Sequence, residues 1–242
     1  GYTPEKAGRV KFARFSTFGT KEGLPFEVQY LTAADELVFF SNTNWTTFDL
    51  STGEYITKLG QLRRLTISGY GLVDLDPDFK NLKNLESLDI SVNNFEKIPE
   101  VLTKENFPKL HALYLNTCQR GVIYDLSNTT TTHFGGLFEE TDQTREFPRR
   151  LLEWDNLDTL TLSVNYLQGR IPDMKDYARK YTQADISAAD SLPQALVGTP
   201  KVLPNIKRFS INLNRLTGEL PEWLLHHPAL DWMDPFTLVF TQ

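Results

Sequence analysis

The stretch Leu203–Leu230 reads LPNIKRFSINLNRLTGELPEWLLHHPAL, and its spacing decides the fold. Within it apolar residues fall at Ile206, Phe209 and Ile211, followed by Asn214, Leu216, Gly218, Leu220 and Pro221. The pattern is L-x-x-L-x-L-x-x-N-x-L, continued by x-G-x-L-P. A short alternating run with an Asn three residues after its last apolar member reads as a strand that turns sharply outward. One such unit exposes its apolar face and needs neighbours of the same kind to bury it.

Working outward, the same spacing returns along the chain. It runs Ala34-x-x-Leu37-x-Phe39-x-x-Asn42, Leu62-x-x-Leu65-x-Ile67-x-x-Tyr70 and Leu85-x-x-Leu88-x-Ile90-x-x-Asn93-x-Phe95. It continues with Leu110-x-x-Leu113-x-Leu115-x-x-Cys118 and Leu157-x-x-Leu160-x-Leu162-x-x-Asn165-x-Leu167-x-Gly169-x-Ile171-Pro172. A closing half-unit opens at Leu230-x-x-Met233, before the apolar tail Phe236–Phe240. The starts at 34, 62, 85, 110, 157, 206 and 230 are separated by 28, 23, 25, 47, 49 and 24 residues. The two long steps are near twice 24, so each holds either a degenerate coil or an insertion. The Thr- and Gly-rich run in 119–146 favours an insertion there. In 173–191, Met174, Tyr177 and Tyr181 lie on one helical stripe, which favours a helical insertion.

These repeats resemble the leucine-rich-repeat family. The resemblance implies an α/β repeat fold: a curved right-handed solenoid, with a parallel β-sheet on the concave face and return segments behind it. The tails Asn165–Pro172 and Asn214–Pro221 resemble the plant-type subclass. The run from Lys201 to Phe240 is similar to secreted or surface lipoproteins of gut Bacteroidetes built from such repeats. Membership would imply export, an extracellular or cell-surface location and a binding role, with no catalytic residue to carry over. Residues 1–33 are expected to form an N-terminal cap, with a strand around Val10–Phe15 and a short helix around Phe26–Leu31. Residues 34–242 are expected to form the solenoid.

Composition narrows the function. A net charge of −6 and a pI near 5.3 disfavour nucleic acid, whose phosphates need a basic surface. No apolar run is long enough to span a membrane. The chain opens at Gly1 without a charged-then-apolar leader and is read as a mature fragment. One Cys and four His make a metal centre improbable. Asp74, Asp76 and Asp78 alternate as in some Ca²⁺ loops, but they lack the glycine and closing Glu of an EF-hand and read as a solvated return loop. His226 and His227 read as a helix end rather than a chelate. Asn44 and Asn128 match the glycosylation pattern and are read as chance. No nucleophile elbow, zinc-protease or phosphate-loop motif is present, so no cofactor and no catalytic activity is expected.

The ninth-position Asn residues (Asn42, Asn93, Asn165, Asn214) are expected to face inward and satisfy backbone groups freed at each turn. Cys118 substitutes for Asn, whereas Tyr70 is expected to turn outward between Gly69 and Gly71. Positions three, five and seven point away from the core. They give a Ser- and Thr-rich trough with a few larger residues. The candidate binding residues are Phe40, Arg64, Asp89, Tyr114, Asn116, Thr161, Arg208, Asn212 and Trp232. Such a trough suits a protein or peptide partner. The alternatives are glycan capture by Tyr and Trp stacking, or a structural spacer within a larger surface protein.

Overall fold

The computed structural model describes residues 9–16, 26–40, 53–93, 95, 97–118, 147–165, 167–173, 202–225, 227 and 229–234. Asn42, Asn44, Asn128, His226, all of 119–146, all of 174–191 and the tail after Asp234 lie outside them.

The alternating apolar runs form ten strands. They are β1 (Phe12–Ser16), β2 (Glu36–Phe40), β3 (Arg64–Ser68), β4 (Ser87–Asp89), β5 (Ala112–Tyr114), β6 (Thr159–Thr161), β7 (Gln168–Gly169), β8 (Arg208–Ser210), β9 (Arg215–Leu216) and β10 (Trp232–Asp234). Eight of them make one parallel sheet in the order β1-β2-β3-β4-β5-β6-β8-β10. The register aligns the fourth position of every coil. Leu37, Leu65, Leu88, Leu113, Leu160, Phe209 and Met233 face one another in turn. All but Met233 are fully buried, each coil covering the leucine of the next. Adjacent parallel strands need a crossover, and here the return segments supply it.

Those returns are short. They contain 3₁₀ turns at Phe26–Tyr30, Pro77–Asn81 and Arg149–Glu153, and single helical turns α1 (Gly53–Ile56) and α2 (Glu222–Leu225). Pro77 opens its turn, where a missing N–H costs nothing, and Asp76 caps it by accepting from the Asp78 N–H at 2.7 Å. Asp74 accepts from the Leu75 N–H at 2.8 Å. The sequence reading of this acidic run as a return loop therefore has a structural basis in capping.

β5 is hydrogen-bonded directly to β6, and β6 directly to β8, across the steps of 47 and 49 residues. The tails of the two most regular repeats add a second, two-stranded parallel sheet, β7 with β9. Its turns need Gly169 and Gly218, at φ of 77° and 84°. A Cβ on Gly218 would also lie 2.9 Å from the Arg170 Nε.

The Asn ladder behaves as its chemistry requires. Asn93 Oδ1 accepts from the N–H groups of Tyr70 and Leu72, both at 3.2 Å, while its Nδ2 donates to the carbonyls of Ile67 and Ile90. Asn165 joins Cys118 to Leu115, and Asn214 joins Asn165 and Leu167 to Leu162 and Ile211. Each amide thus satisfies the preceding turn, and Asn93 and Asn214 also satisfy their own. Cys118 manages only sulfur contacts at 3.7 Å to Ile90 and Asn116 carbonyls. Burial pushes its thiol well above the ordinary range, so it stays protonated and can donate.

Two expectations are corrected. Tyr70 does not turn outward: it is 2% exposed and belongs to the core. Gly69 and Gly71, at φ of 81° and 68°, bend the backbone so that the ring enters the interior rather than leaves it. The seventh-position serines are not trough-lining either. Ser68, Ser91 and Ser163 are buried, as is Ser210 at the fifth position. Their hydroxyls bond across coils, Ser163 Oγ to Ser210 Oγ at 2.7 Å and the Asn116 N–H to Ser91 Oγ at 3.1 Å.

The eighth position shares one conformation. Gly69, Val92, Thr117, Val164 and Leu213 all have φ between 52° and 81°. The turn into the ninth position demands a left-handed residue, and only Gly69 meets that without strain.

Candidate functional site

The outward face of the sheet carries three rows of side chains. The third-position row runs Phe12, Glu36, Arg64, Ser87, Ala112, Thr159, Arg208, Trp232. The fifth runs Arg14, Val38, Thr66, Asp89, Tyr114, Thr161, Ser210, Asp234. Ser16, Phe40 and Ser68 begin the seventh.

This order splits the candidates into two groups. Phe40 and Arg64 lie near the β1 end. Arg64 is held by Glu36 at 2.7 Å, and Phe40 lies under the Arg14 guanidinium, 5.7 Å from the ring centroid. The remaining seven gather toward the β10 end. Asp89, Tyr114 and Thr161 are direct neighbours in one row, while Arg208 and Trp232 adjoin in another. Thr159 and Thr161 give a floor of small residues between Tyr114 on one side and Arg208 with Trp232 on the other.

Several of these groups are engaged within the sheet. Asp89 accepts from the Ser91 N–H at 3.0 Å. Asn116 accepts from the Ser163 N–H at 2.9 Å. Asn212 donates through Nδ2 to Asp234 at 2.6 Å. By contrast, Thr161 Oγ1 and Asn212 Oδ1 are buried polar atoms with no hydrogen-bond partner among the described residues. Such groups are costly unless something satisfies them. Tyr114 is half-buried; burial first, then the charges of Asp89 and Asp158, push its phenol above the ordinary range, with Arg208 opposing. The phenol is therefore a proton donor at neutral pH. Arg208 is exposed and has no bonded partner among the described residues.

Two features escaped sequence reasoning. Phe12, 53% exposed, and Arg14 belong to this face, because Val10-x-x-Ala13-x-Phe15 is a coil in full register, 24 residues before Ala34. The spacing was there to read, but Ala13 weakened the apolar signal. The second feature is the rim at position two: Lys11, Asp35, Arg63, Glu86, His111, Asp158, Lys207, Asp231. Its charges alternate in sign when His111 is protonated. Lys11 meets Asp35 at 3.5 Å, Arg63 meets Glu86 through two bonds at 2.8 and 2.9 Å, and His111 meets Asp158 at 3.3 Å. The Glu86 hydrogen bond raises the Arg63 pKa, and the Arg63 hydrogen bond lowers that of Glu86.

Elsewhere, His227 is 8% exposed, with Nε2 2.9 Å from the Leu203 carbonyl and Nδ1 accepting from the Ala229 N–H at 3.2 Å. That arrangement fixes a neutral ring, in line with the structural role expected of it. No cluster of potential metal ligands occurs among the described residues. No helix among them is long and apolar enough to cross a membrane.

Comparison with known proteins accords with this geometry. The profile of the family described as Leucine Rich Repeat matches residues 84–104. Among solved structures, a leucine-rich-repeat protein of Leptospira interrogans is similar at 16% identity and a TM-score of 0.54, over 94% of this chain and 49% of that one. A chain of the Drosophila Toll–Spätzle complex is similar at 12% identity and a TM-score of 0.59, over 95% and 24%. The PEPR1–AtPEP1 structure is similar at 20% identity and a TM-score of 0.52, over 88% and 26%. The chain thus spans half or less of each of these relatives. No curated protein matches it in sequence. The fold is a curved right-handed leucine-rich-repeat solenoid, with its parallel sheet on the concave face.

Proposed function

We propose that this chain is a non-catalytic recognition module that binds a protein or peptide partner on its concave face, centred on Tyr114, Thr161, Arg208, Asn212 and Trp232. The observation that carries the reading is the register of the outward face, which sets half-buried Tyr114 beside Thr161 and, two strands on, exposed Arg208 beside the 49% exposed Trp232. A partner's main chain supplies acceptors to the Arg208 guanidinium and the Tyr114 hydroxyl. Aromatic side chains beside them supply the apolar area that dominates many interfaces. Two similar structures are of complexes, Toll with Spätzle and PEPR1 with AtPEP1. Concave solenoid faces commonly serve this purpose. An extracellular or cell-surface setting, implied by the resemblance of the repeat tails Asn165–Pro172 and Asn214–Pro221, is part of this proposal.

The test compares wild type with Tyr114→Ala and Trp232→Ala on a display library of peptides and on a glycan array. Selective peptide binding that both substitutions weaken supports the reading. Binding confined to glycans transfers the face to carbohydrate capture, and binding that neither substitution affects removes it from the site.

A further inference from the structure

We propose that the concave face selects an extended peptide segment carrying both signs of charge, an acidic side chain over Arg208 and a basic one over Asp89, about four residues apart, with an uncharged residue between them on the same face. The inference rests on recognition at the concave face and names the chemistry of what is recognised there.

Most charges of the outward rows are matched within the sheet. Arg64 and Glu36 form an ion pair at 2.7 Å. Arg14 donates to Ser16 Oγ at 3.2 Å and lies over the Phe40 ring. Asp234 accepts from Asn212 Nδ2 at 2.6 Å. On the rim, Asp158 is held by His111 at 3.3 Å and by the Thr159 hydroxyl at 2.9 Å. Asp89 and Arg208 are left. Asp89 Oδ1 accepts from the Ser91 N–H at 3.0 Å, which orients the carboxylate without neutralising it. Arg208 is exposed and has no bonded partner among the described residues.

These two opposite charges are too far apart to pair with each other. Asp89 stands at the fifth position of β4 and Arg208 at the third position of β8, with β5 and β6 between. Three strand spacings of about 4.8 Å and two positions along a strand separate their Cα atoms by roughly 16 Å. The ground between is uncharged, with Tyr114, Thr159 and Thr161 on this face. Tyr114 lies where the field changes sign. Burial raises its pKa most; among the charges, Asp89 and Asp158 raise it further and Arg208 lowers it.

A partner that covers Tyr114 excludes water from both charges. A charge left dry and unpaired is costly, so the face rejects a segment that lacks the opposite charge at either place. Side chains of an extended segment alternate, so residues i, i+2 and i+4 point to one side. At a rise of about 3.4 Å per residue, i and i+4 lie about 14 Å apart, and the long Arg208 side chain covers the remaining distance. The residue at i+2 then falls over Thr159 and Thr161, between Tyr114 and Arg208.

The test is selection of a random-peptide display library on wild type, Arg208→Glu and Asp89→Asn. Wild type should enrich peptides with an acidic and a basic residue about four positions apart, in one order throughout. Arg208→Glu should bind those peptides about tenfold more weakly, since repulsion replaces attraction. Replacing the acidic residue of the peptide by Lys should restore binding to this variant and abolish it for wild type. Asp89→Asn keeps an acceptor for the Ser91 N–H and removes only the charge. It should weaken binding several-fold and erase the preference for a basic residue. Melting temperatures of both variants should match wild type. Three results would overturn the inference while Tyr114→Ala still weakens capture, leaving concave-face recognition standing: enriched peptides without paired charges at this spacing, equal binding by Arg208→Glu, or no rescue by the Lys peptide. A library that yields no binder, or binders indifferent to Tyr114→Ala, would overturn both.

Discussion

Replacing Asn214 by Ala should destabilise the last coils, and the structure sets the size of the effect. Asn214 is 3% exposed and accepts from the N–H groups of Asn165 at 2.9 Å and Leu167 at 3.2 Å. Its own amide donates to the carbonyls of Leu162 at 2.9 Å and Ile211 at 2.7 Å. Alanine leaves two buried donors without an acceptor and two carbonyls without a donor. An unsatisfied buried group costs about 1–3 kcal/mol. The stranded N–H groups dominate, because a carbonyl tolerates losing one of its two possible donors more easily. We expect a loss of about 2–5 kcal/mol, out of the roughly 5–15 kcal/mol that holds a typical domain folded. Asn214→Cys should fall between alanine and wild type, since Cys118 shows that a thiol at this position keeps weak carbonyl contacts but accepts little. Because solenoid coils open partly independently, hydrogen exchange at the amides of Asn165 and Leu167 reads the effect more directly than a global melt. Unchanged exchange at both amides, together with an unchanged denaturation midpoint, would refute the reasoning.

Leu160→Ala removes a fully buried side chain from the middle of the stack and should cost about 2–5 kcal/mol in chemical denaturation. Val164→Gly relieves a β-branched residue at φ 59° and should leave stability equal or raise it by up to about 1 kcal/mol, whereas glycine in an ordinary strand would lower it. Burial lowers the His227 pKa below its unfolded value near 6.5, so its contribution is complete above that value and is lost as pH falls through it toward the folded pKa. The denaturation midpoint should accordingly drop as pH falls below about 6.5, and His227→Gln should flatten that part of the profile. Tyr114→Ala should abolish partner capture with little change in melting, and a large drop in melting would show that the ring serves packing instead.

The inward half of this molecule was legible because burial fixes it locally. Leu88, Leu113 and Leu160 are read from spacing alone, since any strand with that alternation must bury that face. The outward half depends on what the register sets beside each residue, 23 to 49 positions away. Ser163 was read as a solvated hydroxyl because nothing in its own coil shows Ser210 waiting 2.7 Å across the junction. Tyr70 was misplaced because a ring at an Asn position looks too large for the interior. Two glycines at positive φ make the room, and the direction in which they turn the chain is not written in their identity. The charges at position two were visible as letters. Only alignment of the strands made them neighbours, and so turned separate residues into paired ions.

The direct pairing of β5 with β6, and of β6 with β8, has a use beyond stability. β6 starts 47 residues after β5, and β8 starts 49 residues after β6, yet each docks in the register that an uninterrupted repeat would have given it. Extra length at a closed loop is cheap, each doubling costing only about 0.6 kcal/mol. A fluorescent reporter or an entire foreign domain spliced into the polypeptide between these strands is therefore expected to leave the ladder on either side with its hydrogen bonds.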